Sequence, residues 1–169
     1  MELEIGPGAN VQPGSFCVMI SPEEFLASSL NNHLDLQRFQ VLYVCGNRSG
    51  ILDRLHRRFA NIDVRRAFTA FQLLTVLEEV HHTLTLVEHD PLLYEGSGEM
   101  AEYIAMALKD ASRESAVVLY SPMMDRHVSE MARRADRLYC FSEVERPPPR
   151  RLLADKGDRD QGQRTLEAF

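Results

Sequence analysis

Carboxylates placed where an apolar run gives way to a turn can hold a metal, position water or carry a proton. In Thr83-Leu84-Thr85-Leu86-Val87-Glu88-His89-Asp90-Pro91 a strand-like run ends in Glu88 and Asp90, the placement from which an acid can hold magnesium. Phe16-Cys17-Val18-Met19-Ile20 runs into Ser21-Pro22-Glu23-Glu24. A phosphate cradle needs glycines for close backbone approach, a Lys for the phosphates and a Ser/Thr hydroxyl for magnesium. The junction at Ser21 has neither Gly nor Lys, and Glu23 and Glu24 occupy the place of a triphosphate. A third junction, Cys45-Gly46-Asn47-Arg48-Ser49-Gly50-Ile51-Leu52, has glycines one residue too close for G-x-x-x-x-G. Ile51-Leu52 also replaces the required Lys-Ser/Thr, so these read as chance turn glycines.

Other chemistry finds less material. His81 and His82 precede the strand that His89 and Asp90 follow, which places them at opposite sheet edges and reads as solvated turn residues. The three cysteines, Cys17, Cys45 and Cys140, lie singly in apolar runs and lack zinc-type spacing. They are expected to be buried thiols in a reducing cytoplasm. No G-x-S-x-G elbow or Ser/His/Asp set is present.

These residues need a scaffold. Strand-like runs at Phe16 to Ile20, Gln40 to Cys45, Ile62 to Ala67, Thr83 to Val87, Ala116 to Tyr120 and Arg137 to Phe141 alternate with helical stripes. Ser21 reads as an N-cap with Pro22 at the first helical position, ahead of Phe25, Leu26, Leu30 and Leu34. Further stripes are Leu52-Leu55-Phe59, then Phe71-Leu74-Leu77-Val80, Met100-Ile104-Ala107-Leu108 and Val128-Met131-Ala132. Residues 1–14 contain two Pro-Gly punctuations and predict no regular structure. Continuous rather than alternating apolar runs predict a mostly parallel sheet covered on both faces, a three-layer αβα sandwich of about six strands.

The chain has 169 residues, 44% hydrophobic and 26% charged, which predicts one folded domain. No apolar run reaches the length of a membrane helix, and no basic-then-apolar leader opens the chain, so the expected place is the cytoplasm without membrane contact. The net charge of −6 argues against coating nucleic acid by charge alone. After Pro147-Pro148-Pro149 charged residues prevail and large apolar ones are few. The predicted division is a domain over 1–142 and a flexible tail over 143–169.

Several of these runs, taken in order, resemble the ATPase core of the RecA/RadA/KaiC superfamily. Gly14 to Ile20 looks like the strand entering its phosphate loop, and Gln40 to Val44 like its second strand. Thr83 to Asp90 resembles its magnesium-binding strand, and Val117 to Pro122 the next one. Ala135-Asp136-Arg137-Leu138-Tyr139 is similar to the Ala-Asp step before its last core strand. The phosphate loop is missing, so the resemblance implies a degenerate paralogue with Ser21, Glu23, Glu88 and Asp90 as a vestigial nucleotide site. It implies no cofactor and no catalytic residue.

Gln163-Arg164-Thr165-Leu166-Glu167-Ala168-Phe169 matches Q-x-x-[LIM]-x-x-[FY] and resembles the PCNA-interacting peptide of clamp-binding replication and repair proteins, including archaeal ones. One helical turn puts Leu166 and Phe169 on one face as an apolar plug; Gln163 presents an amide beside it, and Thr165 can cap the turn. The family commonly carries a second aromatic after the first, and the chain stops at Phe169, which implies a weaker hold.

The resulting expectation is a non-enzymatic accessory protein of DNA replication, recombination or repair, tethered to the PCNA sliding clamp. Its domain would contact DNA or a second protein, such as a RecA-family subunit. Arg54, Arg57, Arg58, Arg133 and Arg134 are the candidates for phosphate contact, against the simpler reading as solvated faces. The alternative is a nucleotide-binding or hydrolysing enzyme using Glu88 and Asp90. A receiver-like fold fails on its lysines, since Lys109 and Lys156 are both badly placed.

Overall fold

Apolar runs with no polar alternation can only be buried on both faces, and the four that fit this description form the middle of the sheet. In a computed structural model, which describes residues 3–33, 36, 38–56 and 61–142, these are β3 (Phe16–Ile20), β4 (Val41–Cys45), β6 (Leu84–Glu88) and β7 (Ala116–Ser121). The two polar runs, β5 (Ile62–Arg66) and β8 (Arg137–Cys140), lie at the two edges. The order across the sheet is β5-β4-β6-β7-β3-β8, and every pairing is parallel.

Side chains alternate between the two faces of each strand. Phe16, Val18, Leu42, Val44 and Val117 pack against α2 (Ala70–Glu78), α3 (Met100–Ala111) and α4 (Arg126–Ala132). Cys17, Met19, Val41, Tyr43 and Val118 pack against α1 (Glu23–Asn32) and an antiparallel hairpin of β1 (Leu3–Gly6) and β2 (Ala9–Val11). The protein is therefore an αβα sandwich, consistent with a RecA-like one, with helices on both faces of a parallel sheet.

Asp136 joins the layers at the amino ends of the strands. Its carboxylate accepts the Phe16 N–H at 2.8 Å and both its oxygens lie 2.6–2.7 Å from Lys109 Nζ of α3, while its own N–H donates to the Phe16 carbonyl at 2.7 Å. That pair of bonds sets β8 in register beside β3.

Three expectations are corrected. The Pro7-Gly8 punctuation is the turn of the hairpin, with Gly8 at a φ of 75°, and Ile5, Ala9 and Val11 are completely buried. Between β4 and β5 the described residues hold a short 3-10 turn, Leu52–Arg54, rather than an α-helix, because the connection is pulled back over the strand ends by contacts described below. Ser21 is not the cap of α1: Pro22 takes that position and the Ser21 hydroxyl turns to the Pro22 carbonyl at 3.3 Å. Phe59, Arg57 and Arg58 lie outside the described residues, as does the segment 143–169 with Gln163, Thr165, Leu166 and Phe169.

Candidate functional site at the carboxyl ends of the strands

Parallel strands deliver their terminal residues to one rim, and Ser21, Glu23, Glu88 and Asp90 all meet there, around a cleft of about 490 Å³ that Glu23, Glu88 and Asp90 line directly. Neighbouring groups engage most of these side chains.

Glu88 ends β6 and turns toward the face that holds Tyr43. The Tyr43 hydroxyl donates to it at 2.8 Å, and Ser49 and the Gly50 N–H also donate to it. Burial pushes the Glu88 carboxyl up from its ordinary value, and the nearby Glu23 adds to this, while the three donors oppose it. Burial, with the Glu88 charge beside it, pushes the Tyr43 phenol up as well, so the hydroxyl stays a proton donor to the carboxylate.

Residues 46–50 fold over this rim, and their glycines have a packing reason rather than a chance one. A Cβ on Gly50 would run into the Glu23 carboxylate, and one on Gly46 would run into the Asp90 carboxylate. Arg66 of β5 holds the loop down by donating to the Gly46 and Asn47 carbonyls at 3.1 and 2.7 Å, and the Ser49 hydroxyl accepts the Leu52 N–H at 3.0 Å. These bonds draw the chain across the strand ends, which is why no regular helix starts at Leu52.

Asp90 has a structural task of its own. It caps the 3-10 turn Pro91–Tyr94 by accepting the Leu92 N–H at 3.0 Å. Glu23 begins α1, where the helix dipole favours an anion, and faces Arg54 at 3.7 Å while Glu24 pairs with the same guanidinium at 3.0 Å. Carboxylates thus hold the helix terminus that a phosphate would need. A phosphate about 4 Å from one of them would meet roughly 4 kcal/mol of repulsion at the dielectric of a protein surface. Among the described residues, no group of three or more His, Cys, Asp or Glu side chains is set to hold a metal ion.

His81 is an exposed turn residue, as expected, but His82 at the amino end of β6 and His89 at its carboxyl end are buried. His89 Nε2 lies 2.6 Å from an Asp125 oxygen, its ring stacks on Tyr94, and Tyr94 stacks on His127. Burial holds the His89 imidazole below its usual range. Burial pushes the Asp125 carboxyl upward, but the Val128 N–H and His89 outweigh it and leave it lowered. The His89–Asp125 contact spans 36 residues, and nothing in the local sequence marks it.

One other expectation changes. Cys17 and Cys45 are buried and their thiols are pushed up by burial, but Cys140 is exposed because β8 is an edge. Of the candidate DNA-contact arginines, the three described ones face acids: Arg54 meets Glu23 and Glu24, Arg133 meets Glu130 at 2.8 Å, and Arg134 meets Glu102 at 3.0 Å.

No protein-family model matches the chain. It is 35% identical over 133 residues to an uncharacterized protein of Archaeoglobus fulgidus, a match that covers 78% of this chain and 67% of the archaeal one. The chain belongs to the family of that archaeal protein. A match of 133 residues extends well beyond a single motif. No described helix is long and apolar enough to cross a membrane.

Proposed function

We propose that this protein is a non-catalytic accessory factor of DNA replication, recombination or repair that binds the PCNA sliding clamp through Gln163, Thr165, Leu166 and Phe169. The observation that carries the reading is the spacing Gln163-x-x-Leu166-x-x-Phe169, which gathers an amide and two apolar side chains at one helical turn. The strand-end geometry supports the non-catalytic part. Glu23 holds the helix terminus, Asp90 caps a turn, and Glu88 is hydrogen-bonded to Tyr43. The sandwich then serves as a RecA-like interaction module for DNA or a second protein.

The test is clamp capture by the full chain, by a chain lacking residues 163–169, and by Phe169→Ala. Loss of capture in both variants is expected. Equal capture by all three ends the clamp reading.

One observation favours a second reading: the cleft beside Glu88 and Asp90 is open enough to admit a small ligand. Titration calorimetry with ATP and magnesium decides between them. Binding that disappears in Asp90→Ala favours a nucleotide enzyme, and no heat of binding removes it.

A further inference from the structure

Large apolar side chains exposed one at a time need no explanation, but several gathered on one helical face mark a contact surface. Phe71 of α2 and Tyr103 and Met106 of α3 are 66%, 58% and 45% exposed. Between the two helices runs a groove of about 430 Å³, with Leu74 and Leu77 on one wall and Met106 and Ala107 on the other. Phe71 lies one turn before Leu74 on α2 and is not itself among the residues that line the groove. The strip on α3 from Tyr103 to Ala111 is nine residues long, about 13 Å of helix, and Glu114 lies in the turn just beyond it.

The charge of the groove is one-sided. Glu78, Asp110 and Glu114 line it, and no basic side chain does. Asp110 pairs with Arg113 at 3.1 Å, but among the described residues Glu78 and Glu114 have no ion-pair partner. Acids that rim an apolar trough without internal neutralisation select a partner that brings positive charge.

We infer that the α2–α3 groove docks an amphipathic helix of about three turns from a partner protein, apolar along one face and carrying Lys or Arg where it meets Glu78 and Glu114. A second copy of this chain fits poorly. Two-fold pairing through the same groove would set Glu78 and Glu114 of one copy among the same acids of the other, and like charges across an interface oppose association. The inference does not depend on the clamp peptide, since the groove belongs to the sandwich and uses none of residues 163–169.

The test uses the full chain labelled with 13C at its methionine methyls and 15N at its amides. The probes are a 14-residue helical peptide with a leucine face flanked by lysines, and a twin with glutamates in place of the lysines. The lysine peptide is expected to shift the Met106 methyl and the amides of α2 and α3, and to bind at least about tenfold more tightly than its twin. Met106→Glu, at an exposed position, should weaken it by about tenfold or more with an unchanged melting temperature. The pair Glu78→Lys/Glu114→Lys should reverse the preference between the peptides. Equal binding of both peptides, no binding of the lysine peptide, or shifts confined to other surfaces would overturn the inference. So would sedimentation showing a dimer that Met106→Glu dissociates, because the groove would then belong to a second copy. Clamp capture by the groove variants is measured alongside: its outcome reports on residues 163–169 alone, so failure of either reading is visible without the other.

Discussion

Gly50 and Glu23 come from different strand-end connections, and a Cβ on the glycine would overlap the Glu23 carboxylate unless that side chain moved. The obstacle is the end of a flexible side chain, so a substitution is accommodated by moving Glu23 and disturbing its contact with Arg54. Gly50→Ala is expected to cost about 1–2 kcal/mol in urea unfolding. The double variant Gly50→Ala/Glu23→Ala should recover most of that loss. Strictly additive effects would show that the two residues do not oppose each other.

Asp136 should be the polar side chain on which the β3–β8 pairing most depends. Asp136→Asn keeps the shape but weakens the acceptor for Phe16 N–H and removes the charge facing Lys109, an expected loss of about 1–2 kcal/mol. The Lys109 hydrogen bond, aided by the Phe16 N–H, holds this carboxyl below its ordinary value of 3.8. A lowered acid stabilises the fold above the unfolded value, and that contribution fades as pH falls through the folded one. The gap between parent and variant in chemical denaturation should therefore narrow below about pH 3.8, and a gap that widens there refutes the assignment.

Glu88 predicts the opposite slope. Its folded value is raised above the ordinary 4.5, chiefly by burial, so the folded state keeps the proton longer than the unfolded chain. Its contribution is complete below pH 4.5 and is lost as pH rises through the folded value. Relative to Glu88→Gln, the parent should lose stability across that interval. Parallel stability curves for parent and variant from pH 4 to 8 would show that the carboxyl is not perturbed.

His82 and His89 are held below the ordinary 6.5 mainly by burial, and each has an Nδ1 without a hydrogen-bond partner. The folded state prefers them neutral, so stability is complete above pH 6.5 and declines as pH falls through the folded values. His82→Gln/His89→Gln should flatten that decline in thermal melts between pH 7 and 5. An unchanged slope would place the acid sensitivity elsewhere.

The strand and helix pattern was legible because the apolar runs at β3, β4, β6 and β7 leave burial on both faces as their only option. The meeting of Ser21, Glu23, Glu88 and Asp90 was legible too, because parallel strands with helical crossovers send every strand end to the same rim. The hairpin at β1 and β2 was not: two Pro-Gly steps look alike on paper, and only Ile5, Ala9 and Val11 packing against the sheet make the first of them a turn between strands. The 3-10 turn that stands in place of a helix among the described residues after β4 has a similar cause. Leu52 and Leu55 carry helical spacing, but Arg66, from outside the loop, binds the Gly46 and Asn47 carbonyls and holds it over the strand ends.

By itself the sequence determined the αβα class, the lack of a G-x-x-x-x-G-K-[ST] motif and the spacing Gln163-x-x-Leu166-x-x-Phe169, because each depends on residue type and short spacing. The tertiary structure decided the rest. Strand order made Cys140 an edge thiol and Cys17 a buried one, although both lie in similar runs. It put His89 on Asp125, Gly50 on Glu23 and Met106 across from Leu74. Contacts of this kind join residues far apart in the chain, and the free energy that selects them comes from burying whole faces at once, which no local window of sequence contains.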